Sequence, residues 1–405
     1  MKYLITLAVG IIGLAPTIHS SAATGPVITW HQVEARATGG QFPAWTSYMK
    51  PLYDAASGTT LWYNARSTSS IIYSTDIFSY KASTQTWTRL GGTGSSIGTC
   101  GDGSTATDVN GSARTPWPSD RHPIQQIAID TTRNVLHLVN GVCANVVPYD
   151  HWAYALKSTP TSNTWSRLLA GVSNVPTVEV SGSMDYSPSH DVLVFHGTNS
   201  GNYPQTWVFC PGEGAPSATQ QAVGCTARST WVRAYAPTTT TDPVGSYFSS
   251  IIYEPVTNRV LNFAGPANVW SYDLAAKTWT NKRPANVPAE PDTWSAPERS
   301  VTRISSGVLS GKIYYRQTSH TTSNNSFGDY LYDPSTNAWT SLASTGTGPR
   351  QLVYVVFDPS AGTHGAIIAF SYDGGLWQGT IQADGALTVP APSSPLNLRI
   401  VRGGV

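Results

Sequence analysis

The chain has 405 residues, 40% hydrophobic and only 12% charged, with 14 Trp, 20 Tyr, 36 Gly and 28 Pro. Lys and Arg number 24 against 23 Asp and Glu, a formal net charge of +1, so no global field steers it toward nucleic acid or an anionic membrane. Aromatic, Gly, Ser and Thr residues in this abundance suit pleated strands and tight turns, and no long helical pattern interrupts them.

Residues 1–23 read as a secretory signal, with Lys2 before the apolar "LITLAVGIIGL" and small residues "SSAA" for cleavage near Ala22 or Ala23. That apolar run is shorter than the ~20 residues needed to span a bilayer. The expectation is an exported chain, extracellular or periplasmic, without membrane insertion. A retained anchor is the alternative.

Next comes "ITWHQV" at 28–33, an outer strand with no hairpin of its own before it. Two kinds of hairpin then alternate. The first kind is mostly apolar on both strands: "KPLYDAASGTTLWYN" at 50–64, "IAIDTTRNVLHLVNG" at 127–141, "GSMDYSPSHDVLVFHG" at 182–197 and "SIIYEPVTNRVLNFAG" at 250–265. Looser copies run over 302–316 and 353–370. The second kind has an aromatic, a polar turn and a Trp, as in "TDIFSYKASTQTWTRL" at 75–90, "ANVWSYDLAAKTWTNK" at 267–282 and "FGDYLYDPSTNAWTSL" at 327–342. Trp30, Trp87, Trp165, Trp231, Trp279 and Trp339 mark the period. An apolar run bounded by turn residues predicts a strand buried on both faces. Two hairpins make a four-stranded antiparallel sheet, and copies stacked about an axis bury a continuous core. The expected fold is therefore an all-β propeller of six four-stranded blades, seven being the alternative and a sandwich a second one. The first strand is expected to pair with the last blade and close the ring. Residues 24–390 form the propeller in this reading, and 391–405 a C-terminal tail.

These phrases resemble kelch repeats of the galactose-oxidase-like propellers. The matching elements are the strand-ending "VNG", "FHG" and "FAG", the aromatics Tyr80, Tyr154, Phe209, Tyr272 and Tyr332, and the Trp beyond each. "SDRH" at 119–122, "PERS" at 297–300 and "GPRQ" at 348–351 match the Arg-bearing link to the next blade. The chain has single Gly residues where a Gly-Gly pair is typical of the family. The resemblance implies the fold and no particular activity.

Four cysteines in an exported chain predict two disulfides. From aromatic to Trp the ordinary hairpins take seven residues, whereas Phe209 to Trp231 takes 22. The surplus of 15 equals the separation of Cys210 and Cys225, which are expected to close the inserted loop at its base. Cys100 and Cys143 form the other expected pair, tethering the long connection over 91–120.

No named catalytic signature is present. "SYDGGLW" at 371–377 resembles a sialidase Asp-box once and imperfectly, and with all four cysteines paired a galactose-oxidase copper site is not expected. No metal or cofactor is implied. Placing residues on the loops of one face gathers Arg, His and Tyr in an otherwise neutral chain. His122, His151, His196 and Tyr203 are the candidate catalytic groups. Arg66, Arg121, Tyr247, Arg299, Arg316, His320 and Arg350 are the candidate substrate-binding groups. Arg forks bind carboxylates and sulfates bidentately, and His or Tyr beside a bound acid can move a proton. In residue types this set resembles propeller polysaccharide lyases. The expectation is a secreted propeller acting on carbohydrate, by β-elimination or hydrolysis of an acidic polysaccharide. The alternative is a non-catalytic propeller that binds glycan or protein. A monomer with a glycan partner and no nucleic acid is expected. A structural reading stands beside each residue: Arg121, Arg299 and Arg350 as blade-to-blade hydrogen bonders, Tyr203 and Tyr247 as sugar platforms, and His137 as a core residue.

Overall fold

The computed structural model describes residues 25–33, 36–37, 50–63, 77–91, 118, 125–141, 149–156, 165–171, 173–177, 182–198, 204–235, 249–289, 301–317, 328–349, 353–371 and 375–382. The expected signal, the C-terminal tail and both Cys100 and Cys143 lie outside the described residues. In chain order the strands are β1 (Val27–Val33), β2 (Arg36–Ala37), β3 (Leu52–Asp54), β4 (Thr59–Tyr63), β5 (Ile77–Lys81), β6 (Thr86–Gly91), β7 (Ile127–Asp130), β8 (Val135–Val139), β9 (Asp150–Ala155), β10 (Trp165–Ala170), β11 (Gly182–Ser187), β12 (Val192–Thr198) and β13 (Pro204–Cys210). A single turn of helix, α1 (Ala218–Ala222), precedes β14 (Thr230–Tyr235). The rest are β15 (Ser250–Glu254), β16 (Arg259–Phe263), β17 (Val269–Asp273), β18 (Thr278–Asn281), β19 (Val301–Arg303), β20 (Ile313–Arg316), β21 (Asp329–Asp333), β22 (Ala338–Thr345), β23 (Tyr354–Asp358), β24 (Ala366–Ser371) and β25 (Gly375–Gln382).

The protein is an all-β propeller. Its hairpins share one turn chemistry: a residue in the left-handed region closes the turn, at Gly58, Asn134, Asp191, Asn258 and Asn337 among others. Gly, Asn and Asp tolerate that backbone better than other residues. The acid ending the preceding strand caps the turn, as where Asp130 Oδ1 accepts from the backbone N–H of Thr132 at 2.9 Å and of Arg133 at 3.0 Å. Asp54, Glu254, Asp333 and Asp358 do the same in their own turns.

The repeated aromatic and Trp are cross-strand partners in register: Tyr80 with Trp87, Tyr154 with Trp165, Phe209 with Trp231, Tyr272 with Trp279 and Tyr332 with Trp339. Their ring centroids lie 4.8–5.2 Å apart. Four of these Trp also reach the preceding repeat. Trp165 meets Tyr63, Trp231 meets His151, Trp279 meets His196 and Trp339 meets Phe263. This repeated slot is the seam of the molecule.

β1 pairs antiparallel with β25 over seven residues, from Val27 opposite Gln382 to Val33 opposite Leu376. Its start also pairs in parallel with β22. That second pairing fuses two four-stranded arrays into one eight-stranded sheet, β19-β20-β21-β22-β1-β25-β24-β23. The count of separate sheets is therefore five where six were expected: this one, three of four strands, and one of five that includes β2. The innermost strands meet in the order β3, β7, β11, β15, β19, β23 and back to β3.

Cys210 and Cys225 form a disulfide with Cα atoms 6.0 Å apart, closing the inserted loop at its base. Inside the loop Ser217 and Gln220 make a capping box for α1, and Val223 is fully buried. Among the described residues no helix is long and apolar enough to cross a membrane.

Candidate functional site

Of the eleven candidate residues, His122, Tyr203, Arg66, Arg121, Tyr247, Arg299, His320 and Arg350 lie outside the described residues. His151, His196 and Arg316 were expected on rim loops and instead lie in strands β9, β12 and β20, almost completely buried.

His151 belongs to a hydrogen-bonded chain. Trp231 Nε1 donates to His151 Nδ1 at 3.2 Å, and His151 Nε2 lies 2.9 Å from His137 Nδ1. An indole N–H only donates. His151 Nδ1 must therefore be bare, its proton sits on Nε2, and His137 carries its own proton on Nε2. Burial holds His137 down to about 3, with the Arg133 charge adding to the shift, and burial likewise holds His151 far below the ordinary histidine range. Two neutral rings packed against Phe209, His151 edge-on and His137 tilted, form a seam, not a proton-transfer site open to substrate.

His196 and Arg316 occupy one repeated position. Both are the second-strand residue that faces the next Trp, where Tyr63 and Phe263 stand in other repeats. His196 lies 4.7 Å from the Trp279 ring, and its Nδ1 is 3.1 Å from Thr206 Oγ1. Arg316 stacks over Trp30 at 5.0 Å and places NH1 2.8 Å from both Asp329 oxygens. Its Nε donates to the Pro349 carbonyl at 2.8 Å, and the Tyr314 hydroxyl also donates to Asp329. With Nε and NH1 held by protein and the residue 3% exposed, this arginine braces the seam rather than facing substrate.

The described residues do enclose a cavity elsewhere. About 330 Å³ opens along the axis, lined by residues of all six innermost strands. Cross-strand register identifies six equivalent residues around it: Tyr53, Ile129, Tyr186, Tyr253, Arg303 and Phe357. Five are apolar or aromatic and one is a cation. One step along, Asp185 holds the equivalent place among Leu52, Ile252, Thr302 and Val356. Asp185 Oδ2 accepts from the Tyr253 backbone N–H at 2.7 Å. Arg303 has no ion-pair partner among the described residues.

Lys50 joins them from the residue before Pro51. Its Nζ donates to the carbonyl of Met184 at 2.8 Å and lies 3.4 Å from that of Ile251, so the side chain crosses from β3 toward β11 and β15. Burial lowers its pKa, partly opposed by the charge of Asp185. Sequence reasoning missed this site. The signal was a charge interrupting an apolar first strand, Asp185 in "SMDYS" and Arg303 in "VTRIS", which stands out only once the hairpins are aligned by register.

No family model matches this chain, and no curated protein does either. A solved structure from Bacteroides thetaiotaomicron VPI-5482, a structural genomics protein of unknown function, covers 88% of this chain and 76% of its own. Identity is 8% and the TM-score 0.46, a level that carries no argument about function.

Proposed function

We propose that the chain is an exported, kelch-like propeller of six four-stranded units that binds an acidic glycan through its central channel. The eight-stranded sheet counts as two units in this reading, supported by the closed order of six innermost strands and their six register-equivalent residues. The Cys210–Cys225 disulfide is in keeping with an oxidising compartment outside the cytosol. Binding is favoured over β-elimination because His151 and His196 are sealed in seams. The observation that carries the proposal is Arg303, the one cation in an apolar and aromatic ring and without an ion-pair partner there. A guanidinium takes a carboxylate or sulfate bidentately, while tyrosine faces suit the C–H surface of a sugar.

The test is calorimetry of the full chain against oligosaccharides bearing uronate or sulfate groups and against neutral ones. Acidic ligands should bind and neutral ones should not. Arg303→Ala should weaken binding by roughly tenfold to a hundredfold, the worth of a charge-assisted hydrogen bond. Absence of binding across the panel, or binding indifferent to Arg303→Ala, would refute the reading. Unsaturated products appearing by ultraviolet absorbance would replace binding with elimination.

A further inference from the structure

We propose that Lys50 is a nucleophilic amine that condenses with a small aldehyde entering the central channel, giving an imine. Three observations carry it. The side chain crosses the axis from β3 and lines the cavity, so its nitrogen is presented to whatever enters. Two backbone carbonyls, of Met184 and Ile251, lie within reach of the nitrogen. A neutral amine has two N–H bonds and one lone pair. The two carbonyls account for the N–H bonds, and the lone pair remains for an electrophile. Burial pushes the same way, favouring the uncharged amine.

Asp185 supplies the proton traffic. One of its oxygens is fixed by the Tyr253 N–H, and its charge acts on Lys50. In the step itself the nitrogen lone pair bonds to the carbonyl carbon while the carbonyl π pair moves to oxygen. Both nitrogen protons pass in turn to that oxygen, relayed by solvent and the Asp185 carboxylate: the first gives the carbinolamine, and the second lets the oxygen leave as water as the C=N bond forms. Amine plus aldehyde gives imine plus one water, and no oxidant or reductant is consumed. An aldose presents such an aldehyde in its open-chain form. The inference does not depend on Arg303 or on an acidic ligand, so its failure would leave channel binding standing.

Trapping tests it directly. The full-length folded protein is treated with glyceraldehyde and cyanoborohydride at pH 7, the hydride reducing any imine to a stable secondary amine, and labelled peptides are mapped by mass. Lys50 should be labelled at least tenfold faster than the exposed Lys81, with a half-maximal pH below that of Lys81. Asp185→Asn should slow labelling at Lys50 and leave Lys81 unchanged. Lys50→Arg should abolish that label, and if this variant fails to fold, the comparison of the two lysines in the wild-type chain decides alone. Labelling of Lys50 no faster than Lys81, or only at the pH where Lys81 reacts, would show a structural brace and overturn the proposal.

Discussion

Trp231 can only donate, and that one-way chemistry orders the protons of His151 and His137 behind it. Both rings are held neutral in the folded chain, whereas the unfolded chain takes up their protons below about pH 6.5. Their contribution to stability is thus complete above that pH and declines as pH falls toward about 3 for His137. Each ring should cost roughly 1.4 kcal/mol per pH unit within this window. Thermal melts from pH 7 to 4 should fall steeply, and a His137→Leu/His151→Leu double variant should flatten the upper part of that fall; identical slopes would contradict the account. Arg316 makes a second prediction at this scale. Removing it leaves Asp329 buried and unpaired, which costs about 3–5 kcal/mol. Arg316→Leu should shift the denaturant midpoint accordingly, whereas a change within about 0.5 kcal/mol is what an exposed rim arginine would give.

Among the elements, β1 has the heaviest duty, because it joins two consecutive arrays, β19–β22 and β23–β25, that both lie far from it in sequence. Gly379 shows how it fits. In five repeats the residue opposite the Trp is aromatic, but opposite Trp30 it is Gly379. A Cβ built there would come within 2.8 Å of Ile28 and 2.9 Å of the Trp30 ring. Gly379→Val should therefore overpack the closure and destabilise the fold by about 1–3 kcal/mol, read by chemical denaturation; a neutral result would mean that β1 does not seat as described. This scale also shows what was legible in advance. The pairings of Tyr80 with Trp87 and its four counterparts, the closing strand and the Cys210–Cys225 bridge all left side-chain marks in the sequence. The parallel contact of β1 with β22 rests on backbone pairing and one hydroxyl pair, Thr29 with Thr345 at 2.9 Å, which form no repeated pattern, so the fused sheet went unseen. His196 and Arg316 were misplaced for a different reason. Arg316 ends β20 and His196 stands two residues before the end of β12, and only register reveals that this place faces the next Trp.

For the molecule as a whole, the ring of innermost strands turns a stabilising architecture into a site. Seams take up the repeated aromatics together with His137, His151 and His196, leaving the axis as the described place where unpaired charge meets open volume. Arg303 and Asp185 sit there because two of the innermost strands break the apolar pattern that the others keep. The rim loops and the channel predict different positions for a bound acidic sugar. A crystal structure of the full chain with an acidic oligosaccharide separates them most directly. The account predicts ligand density on the axis, with its acidic group against the Arg303 guanidinium. Density against His122 and Tyr203, with the channel left to solvent, would contradict it.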